Sequence, residues 1–507
     1  MQNRIIFTVE IIRDLKKHLL EIIVFLCGAV VMIFELAGSR VLGPYLGTSI
    51  FIWTSLIGII LGSLSLGYWL GGRLADRKPS PGALAWIILA AGLFIGFTTL
   101  VKGPFLKFLP GIIGGLKWQS VVASVFLFAP ASVFLGMVSP YAVRLKIKAL
   151  QTSGATVGRL YAISTVGSIA GTFAAGFYLI PAIGTTSILI AITILLLLIS
   201  ILLFFISKNP AGIIAAVVLA LVNSYILYRD QSGQRAYVDV DTQYSRVWIY
   251  DATDKATGRP IRFMRINNES SSAEFHDSRE PVFPYMRFYR LAEHFTPDFR
   301  SALILGGAAF SYPKYFLQQY PQATLDVVEI DPELTELARQ HFDLRDDPRM
   351  RIFHEDARTF LNRSEYRYDV IFGDTYKSLY TLPWHLTTRE AAQKTYDMLN
   401  EGGCVILNII SSIGGESSLF LQAETATYRD VFPHVYIFAA DNPQNKDALQ
   451  GTLLVALKTS SKSGLTSPDP ELSAMLKNNV THLVAAGVPV LTDDYAPVDF
   501  YTNKSIR

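Results

Sequence analysis

The sequence has little cysteine and little charge. Only two of the 507 residues are cysteine, and charged residues make up 17%, against about 25% in ordinary soluble domains. Hydrophobic residues account for 50% of the chain, and the mean hydropathy is +0.32. The few cysteines exclude a disulfide-rich scaffold, and the apolar content excludes a disordered or collagen-like protein.

Several functional signatures are also missing. There is no phosphate-binding P-loop, no Cys/His cluster with metal-ligand spacing and no basic, aromatic-rich face. We therefore expect neither a metal nor a nucleic-acid partner. Cys27 lies in an apolar run and Cys404 in an expected buried strand, so we expect no disulfide between them.

Charge divides the chain into two unlike parts. Residues 1–229 contain 17 Lys and Arg against 5 Asp and Glu, a net charge of +12, whereas the remainder contains 28 against 37, a net charge of −9. We predict a helical membrane domain over 1–229, a small β-rich subdomain over 236–295 and an α/β domain over 296–507.

Seven apolar stretches predict about seven transmembrane helices. Each approaches the 18–20 residues that a helix needs to cross about 30 Å of hydrocarbon. They lie at about 19–39, 50–71, 83–101, 119–139, 160–180, 184–206 and 211–228.

Lys and Arg in the short loops place the N-terminus in the cytoplasm, and we expect a multi-pass protein of the cell (inner) membrane. Residues 71–77 resemble the Gly-x-x-x-Asp-Arg loop on the cytoplasmic side of major-facilitator transporters. Seven crossings would place the second half outside the cell, and six would place it inside. The sequence leaves that side open.

Glu35 is a carboxylate near the end of the first apolar stretch, where a charge is costly. Arg40, about one turn further on, is a candidate partner. Two interpretations stay open, an ion pair that fixes the helix end and a functional cation site.

The second half changes pattern. Short alternating stretches, such as 246–250 and 261–266, predict a small antiparallel sheet. From residue 301, apolar strands alternate with helical patterns, which predicts a Rossmann-like parallel sheet with ligands at the carboxyl ends of its strands.

Four of these strand ends carry candidate site residues. Gly306 and Gly307 follow the first strand, where glycine lets a ligand approach the backbone. Glu329 ends the second strand and suits ribose hydroxyl groups. Asp356, after the third, suits an exocyclic amine or caps a helix, and Asp374, after the fourth, faces the reactive end of the cofactor. Together they predict an S-adenosyl nucleoside pocket.

These motifs resemble those of the spermidine synthase (polyamine aminopropyltransferase) family, in particular its membrane-fused bacterial branch, in which a spermidine synthase-like domain follows a major-facilitator-like helical part. The resemblance rests on Gly306-Gly307, 328–331, Asp356-Ala357 and Asp374, on 382–390, and on the ending 491–498. It implies a Rossmann-like fold of the methyltransferase type.

The resemblance also implies a reaction. An amine or polyamine would displace methylthioadenosine from decarboxylated S-adenosylmethionine, with Asp374 as base and Tyr285 orienting the amine. Ala357 joins the nucleoside-binding residues, and Tyr376 would contact the substrate. The partners implied are a small amine and the lipid bilayer, and we also consider a homodimer.

The sequence departs from the family at two acids, where Ala309 and Arg287 stand instead. Nucleoside binding is therefore better supported than the particular reaction. Two alternatives stay open, a methyltransferase that uses S-adenosylmethionine itself and a non-catalytic polyamine or nucleoside transporter or sensor.

Overall fold

The computed structural model describes residues 2–77, 79–147, 153–232, 237–255, 257–267, 269–375, 382–461 and 463–503. The chain forms two compact units, Met1–Arg235 and Ala236–Arg507.

The first unit is helical. Its helices are α1 (Gln2–Leu46), α2 (Ile50–Arg77), α3 (Pro81–Phe108), α4 (Leu116–Leu127), α5 (Ala129–Lys146), α6 (Ser153–Ala174), α7 (Ile180–Ile183), α8 (Thr185–Ile206) and α9 (Pro210–Ser232). A π-helical segment, Ala175–Leu179, joins α6 to α7.

All seven predicted apolar stretches fall in these helices, but not all have the length expected of a span. Among the described residues, five helical stretches are long and apolar enough to cross a membrane. The predicted fourth span is broken, because α4 and α5 meet at an angle of 51°. The predicted seventh lies in α9, of which Pro210–Val222 is the apolar part within the residues searched. Counted over the described residues, five helices could cross a membrane, or six when the bent pair counts as one.

Two sheets build the second unit. The smaller sheet is antiparallel with the order β1-β2-β3-β4, as the alternating stretches predict. Its strands are β1 (Tyr237–Asp241), β2 (Arg246–Thr253), β3 (Pro260–Ile266) and β4 (Glu269–Phe275).

The larger sheet has seven strands in the order β10-β11-β9-β8-β5-β6-β7. These are β5 (Ser301–Leu305), β6 (Thr324–Val328), β7 (Met350–Phe353), β8 (Tyr368–Gly373), β9 (Leu399–Ser411), β10 (His434–Ala439) and β11 (Gln450–Leu457). Strands β5 to β9 pair in parallel. The expected parallel sheet is confirmed for β5 to β9, whereas β10 and β11 were not predicted, and β11 pairs antiparallel with both β9 and β10.

Helices cover both faces of the larger sheet. They are α10 (Pro284–Arg287), α11 (Leu291–Phe295), α12 (Ser311–Gln319), α13 (Pro332–His341), α14 (Ala357–Arg363), α15 (Arg389–Met398), α16 (Leu419–Val431), α17 (Pro470–Lys477) and α18 (Val498–Asn503). One buried cluster joins the sheet to α14, α15 and α16, and another joins it to α11, α12 and α17. This double cover explains the continuous apolar runs of the strands.

Local sequence explains several helix starts. Asp331 accepts a hydrogen bond from the Glu333 amide and precedes Pro332, so it caps α13 as its Asp-Pro sequence predicts. Thr388 caps α15 in the same way, accepting from the Ala391 amide. These caps set where the helices leave the strand ends.

Candidate active site

The site lies where the strand order reverses. Strands β5 and β8 are neighbours, and the chain leaves them toward opposite sides of the sheet. In open α/β sheets this reversal opens a crevice at the carboxyl ends of the strands. Gly306 follows β5 and Asp374 follows β8, and the Asp374 amide donates to Leu305 O at 2.9 Å.

Gly306 allows these two strand ends to approach each other. Its φ angle is +99°, and a Cβ built there would lie 2.4 Å from the Asp374 carbonyl oxygen. Either feature alone disfavours a side chain. The turn continues with positive φ at Ala308 and Phe310, both non-glycine residues. The predicted glycine turn is thus present, and its first glycine is required by geometry.

The Asp374 carboxylate is held by two neutral donors. Tyr285, on α10, donates its hydroxyl hydrogen to Asp374 Oδ2 at 2.9 Å. Asn408, on β9, donates from Nδ2 to Asp374 Oδ1 at 3.1 Å. The structure therefore brings the predicted base and the predicted tyrosine into direct contact.

Burial dominates the acidity of this pair. Desolvation raises the pKa of Asp374, and the hydrogen bonds from Asn408 and Tyr285 lower it by less. Desolvation and the adjacent Asp374 carboxylate raise the pKa of Tyr285 well above its usual range. Tyr285 hence stays protonated and acts as a donor, while Asp374 has an increased affinity for a proton.

Glu329 ends its strand as predicted, but its carboxylate is engaged by the backbone. Oε2 accepts from the amides of Gly307 and Ala308, both at 2.9 Å, and Oε1 accepts from the Asp331 amide at 3.0 Å. The side chain is 4% exposed. Each carboxylate oxygen can accept two hydrogen bonds, so Oε1 retains one acceptor position. Glu329 thus anchors the glycine turn.

Asp356 is the N-cap of α14. Its Oδ1 accepts from the Thr359 amide at 3.0 Å, which is the capping alternative noted from the sequence. Its Oδ2 lies 3.3 Å from His385 Nε2. Ala357, the next residue, is buried. The cap therefore uses one oxygen and leaves the other directed toward His385.

The two positions at which this sequence lacks the acids of the family lie in different environments. Ala309 is fully buried and packs with the apolar face of the antiparallel sheet, in a cluster that includes Val247, Ile249 and Met264. Arg287 is exposed at the end of α10. Ala309 therefore contributes to this apolar cluster.

Sequence reasoning missed Asn408 and His385 as partners of the acids. Asn408 was visible as one amide within the apolar run of β9, and a buried polar residue in a strand needs a partner. The side chain of Tyr376, predicted to contact substrate, lies outside the described residues. Within the described ranges, no group of three His, Cys, Asp or Glu residues could hold a metal ion.

One protein family matches part of the second unit. Residues 289–457 match the spermine/spermidine synthase domain family. The second unit of the chain therefore contains a region similar to this family, as the resemblance predicted.

The chain is similar to two named aminopropyltransferases and to one solved structure. The chain is 28% identical over 239 residues to a polyamine aminopropyltransferase of Vibrio vulnificus, covering 46% of this chain and 75% of the relative. It is 24% identical over 396 residues to polyamine aminopropyltransferase 1 of Streptomyces coelicolor, covering 71% of this chain and 69% of the relative. A crystal structure of a probable spermidine synthase from Corynebacterium glutamicum has 25% identity and a TM-score of 0.41, covering 50% of this chain and 90% of that one.

The Streptomyces match covers more of this chain than the C-terminal unit contains. It extends over 71% of the chain, whereas the unit Ala236–Arg507 is little more than half of it. This extent is consistent with a fused arrangement of helical and synthase-like parts.

Proposed function

We propose that the protein is a membrane-bound aminopropyltransferase. It would transfer the aminopropyl group of decarboxylated S-adenosylmethionine to an amine or polyamine. The observation that carries the proposal is the contact between Tyr285 and Asp374 at the strand reversal. The match of residues 289–457 to the synthase family and the similarity to polyamine aminopropyltransferases also support it.

The proposed reaction is one displacement. The neutral amine nitrogen attacks the aminopropyl carbon bonded to the sulfonium, a C–N bond forms, and the C–S bond breaks. Its electron pair stays on sulfur, and methylthioadenosine leaves uncharged. Asp374 takes the proton that the new ammonium group loses, and its raised pKa makes it a better acceptor near neutral pH.

Tyr285 and Asn408 would orient this base. Both hydrogen bonds fix the carboxylate plane, so the lone pairs not used by Tyr285 and Asn408 stay available to the amine. Holding amine and sulfonium in line supplies a large part of the acceleration in such reactions.

Nucleoside binding would use the neighbouring strand ends. We propose that Gly306 and Gly307 line the pocket, that the remaining acceptor position of Glu329 Oε1 receives a ribose hydroxyl group, and that Asp356 accepts from the adenine amine. Ala357 and the side chain of Tyr376 complete the proposed set.

Methyl transfer is the second candidate. The specific observation that favours it is that Ala309, packed in an apolar cluster, stands where the family has the acid that grips the aminopropyl ammonium group. In that case the donor would be S-adenosylmethionine, and the product S-adenosylhomocysteine.

We also propose that the C-terminal unit faces the cytoplasm. Among the described residues, five helices are long and apolar enough to cross a membrane, or six when the bent pair α4–α5 counts as one. Six crossings from a cytoplasmic N-terminus would return the chain to the side where nucleoside cosubstrates are made. Labelling of a cysteine at the exposed position Glu365 in intact cells tests this, since modification by an impermeant reagent would contradict it.

Product analysis tests the reaction. Purified full-length protein is incubated with either sulfonium donor and a panel of amines. Methylthioadenosine with the decarboxylated donor supports aminopropyl transfer, and S-adenosylhomocysteine supports methyl transfer. We expect Asp374→Ala to abolish product formation, and unchanged turnover in that variant would contradict the proposal.

A further inference from the structure

Three glycines allow α1 and α6 to pack closely where the two helices cross. A Cβ built on each would lie within 2.4 Å of a main-chain oxygen of the other helix. The glycine and oxygen pairs are Gly28 with Ser164, Gly167 with Phe25, and Gly171 with Ala29.

The crossing of α2 and α5 repeats this arrangement. Its pairs are Gly67 with Val133 at 2.2 Å, Gly71 with Met137 at 2.6 Å, and Gly136 with Leu64 at 2.7 Å. In both crossings, one helix carries two glycines four residues apart, and these face two residues that are four apart on the other helix. The third glycine lies on that other helix, three residues after the first of the two residues that are faced. The two crossings therefore match if α1 corresponds to α5 and α6 corresponds to α2.

The remaining pair of long helices, α3 and α8, agrees with this correspondence. Helices α3 and α8 pack antiparallel, with Ser200 donating to Ala85 O at 2.9 Å near one end and Lys102 donating to Thr186 Oγ1 at 2.7 Å near the other. If α1 corresponds to α5 and α2 to α6, then α3 corresponds to α8, and an antiparallel pair of these two helices fits that correspondence. The helical unit thus contains two related halves of three crossings each, α1 to α3 and α4 to α8.

The two halves have opposite orientations when the bent pair α4–α5 counts as one crossing. The first and fourth crossings then run in opposite directions. Inverted repeats of this kind are typical of secondary transporters, whose substrate sites lie at the interface between the repeats.

Polar groups lie along this interface. Ser168, on α6, donates to Gly28 O at 3.1 Å, and the hydroxyl groups of Ser139 and Ser164 are 3.4 Å apart. Glu35 lies seven residues after Gly28, on the same face of α1 and two turns further on. We call Glu35, Ser139, Ser164 and Ser168 the polar seam.

Glu35 is the acid of this seam. Its side chain is partly buried and, within the described part of the chain, makes neither a hydrogen bond nor an ion pair, so the candidate pair with Arg40 does not form. Helix α6 advances in step with α1, since Gly167 faces Phe25 and Gly171 faces Ala29. The same step brings the π-helical segment Ala175–Leu179 level with Glu35, and such segments are frequent at functional sites.

We propose that the helical unit binds an organic ammonium ion at Glu35, where the two repeats meet. A carboxylate in an apolar span is costly and marks an ion pathway or a substrate site. Carboxylate and hydroxyl oxygens accept the hydrogen bonds that an ammonium group donates, whereas a divalent metal ion needs several oxygen ligands. That the ammonium ion is an amine handled by the C-terminal unit rests on the proposed function.

Uptake of radiolabelled spermidine tests the site. Full-length protein is reconstituted in lipid vesicles, and every variant carries Asp374→Ala, which weakens the amine site of the C-terminal unit. We expect Glu35→Gln to lower bound or internalised spermidine by about tenfold, because a charged hydrogen-bond partner is lost. Glu35→Asp keeps the charge and should restore part of the signal.

Two results would overturn the proposal. One is that protein with Glu35 intact neither binds nor takes up spermidine, and the other is that Glu35→Gln retains all of it in well-folded protein. Product formation is measured separately in chains with Asp374 intact. Absence of methylthioadenosine there would refute the aminopropyltransferase proposal and leave the Glu35 result standing.

Discussion

The hydroxyl group of Tyr285 donates to Asp374 Oδ2 at 2.9 Å, although the two residues are 89 positions apart in the chain. The contact joins α10, which follows the antiparallel sheet, to the end of β8 in the larger sheet. It places a protonated phenol beside a carboxylate whose pKa is raised by burial.

This pair predicts the acid limb of the pH–rate profile. Asp374 must be ionised to accept a proton, so activity should rise with pH as it ionises, at a pH above the usual carboxyl range. The Tyr285 hydrogen bond stabilises the ionised form. Tyr285→Phe should therefore move the acid limb to higher pH. Asn408→Leu removes the other stabilising donor and should move it the same way, whereas a change in rate without a shift would contradict the assignment.

Gly306 gives a second prediction. Gly306→Ala brings a Cβ within 2.4 Å of the Asp374 carbonyl oxygen and places alanine at φ +99°. We expect a loss of about 1–3 kcal/mol of stability and a fall in kcat, because the end of β8 must move. Thermal unfolding and product formation measure the two effects.

Gly258 supplies the matched control. Its φ is +72°, but a Cβ there meets nothing within 4 Å. Gly258→Ala hence has the backbone strain without the collision, and it should retain kcat. Equal losses of kcat in both variants would show that the approach of Gly306 to Asp374 is not what supports activity.

Much of this site could be predicted from the sequence. The Gly turn, Glu329, Asp356 and Asp374 each follow a short apolar run, and parallel strands bring such ends to one edge. What the strand pattern could not show is which hydrogen bonds each acid makes. Glu329 tethers the glycine turn, and Asp356 caps α14, because nearby backbone amides compete for the same oxygens.

The fold was also predicted unevenly. The alternation of strands and helices identified β5 to β9, but the antiparallel edge was missed, because buried apolar runs look alike in either direction. In the helical unit, apolar length could not reveal the 51° bend between α4 and α5. Pro130 lies at that bend, and the turn depends on packing as well as on local sequence.

Glu424 gives a third prediction, which concerns stability. It is fully buried on α16, and both carboxylate oxygens lack a hydrogen-bond partner among the described residues. Desolvation raises its pKa well above the ordinary value. The folded state therefore binds this proton more tightly than the unfolded state, and the stability that results is lost as pH rises from the unfolded pKa through the folded one.

Replacing Glu424 should consequently stabilise the protein at neutral pH. We expect Glu424→Leu to raise the free energy of unfolding by about 1–3 kcal/mol at pH 8 and to have a smaller effect near pH 4. The melting temperature of the full chain in detergent, followed against pH, measures this. Destabilisation by Glu424→Leu at pH 8 would mean that the carboxylate has a favourable partner.

The last prediction separates two roles of Asp356, the helix cap and the proposed contact with the adenine amine. Asparagine caps helices about as well as aspartate, so Asp356→Asn should change the melting temperature little, whereas Asp356→Ala should cost about 1 kcal/mol. A neutral amide is a weaker acceptor than a carboxylate. If Asp356 binds adenine, both variants should weaken methylthioadenosine binding by about tenfold in calorimetry. Wild-type affinity in Asp356→Asn would leave Asp356 with the cap alone, and the nucleoside would have to be recognised through Glu329 and the glycine turn.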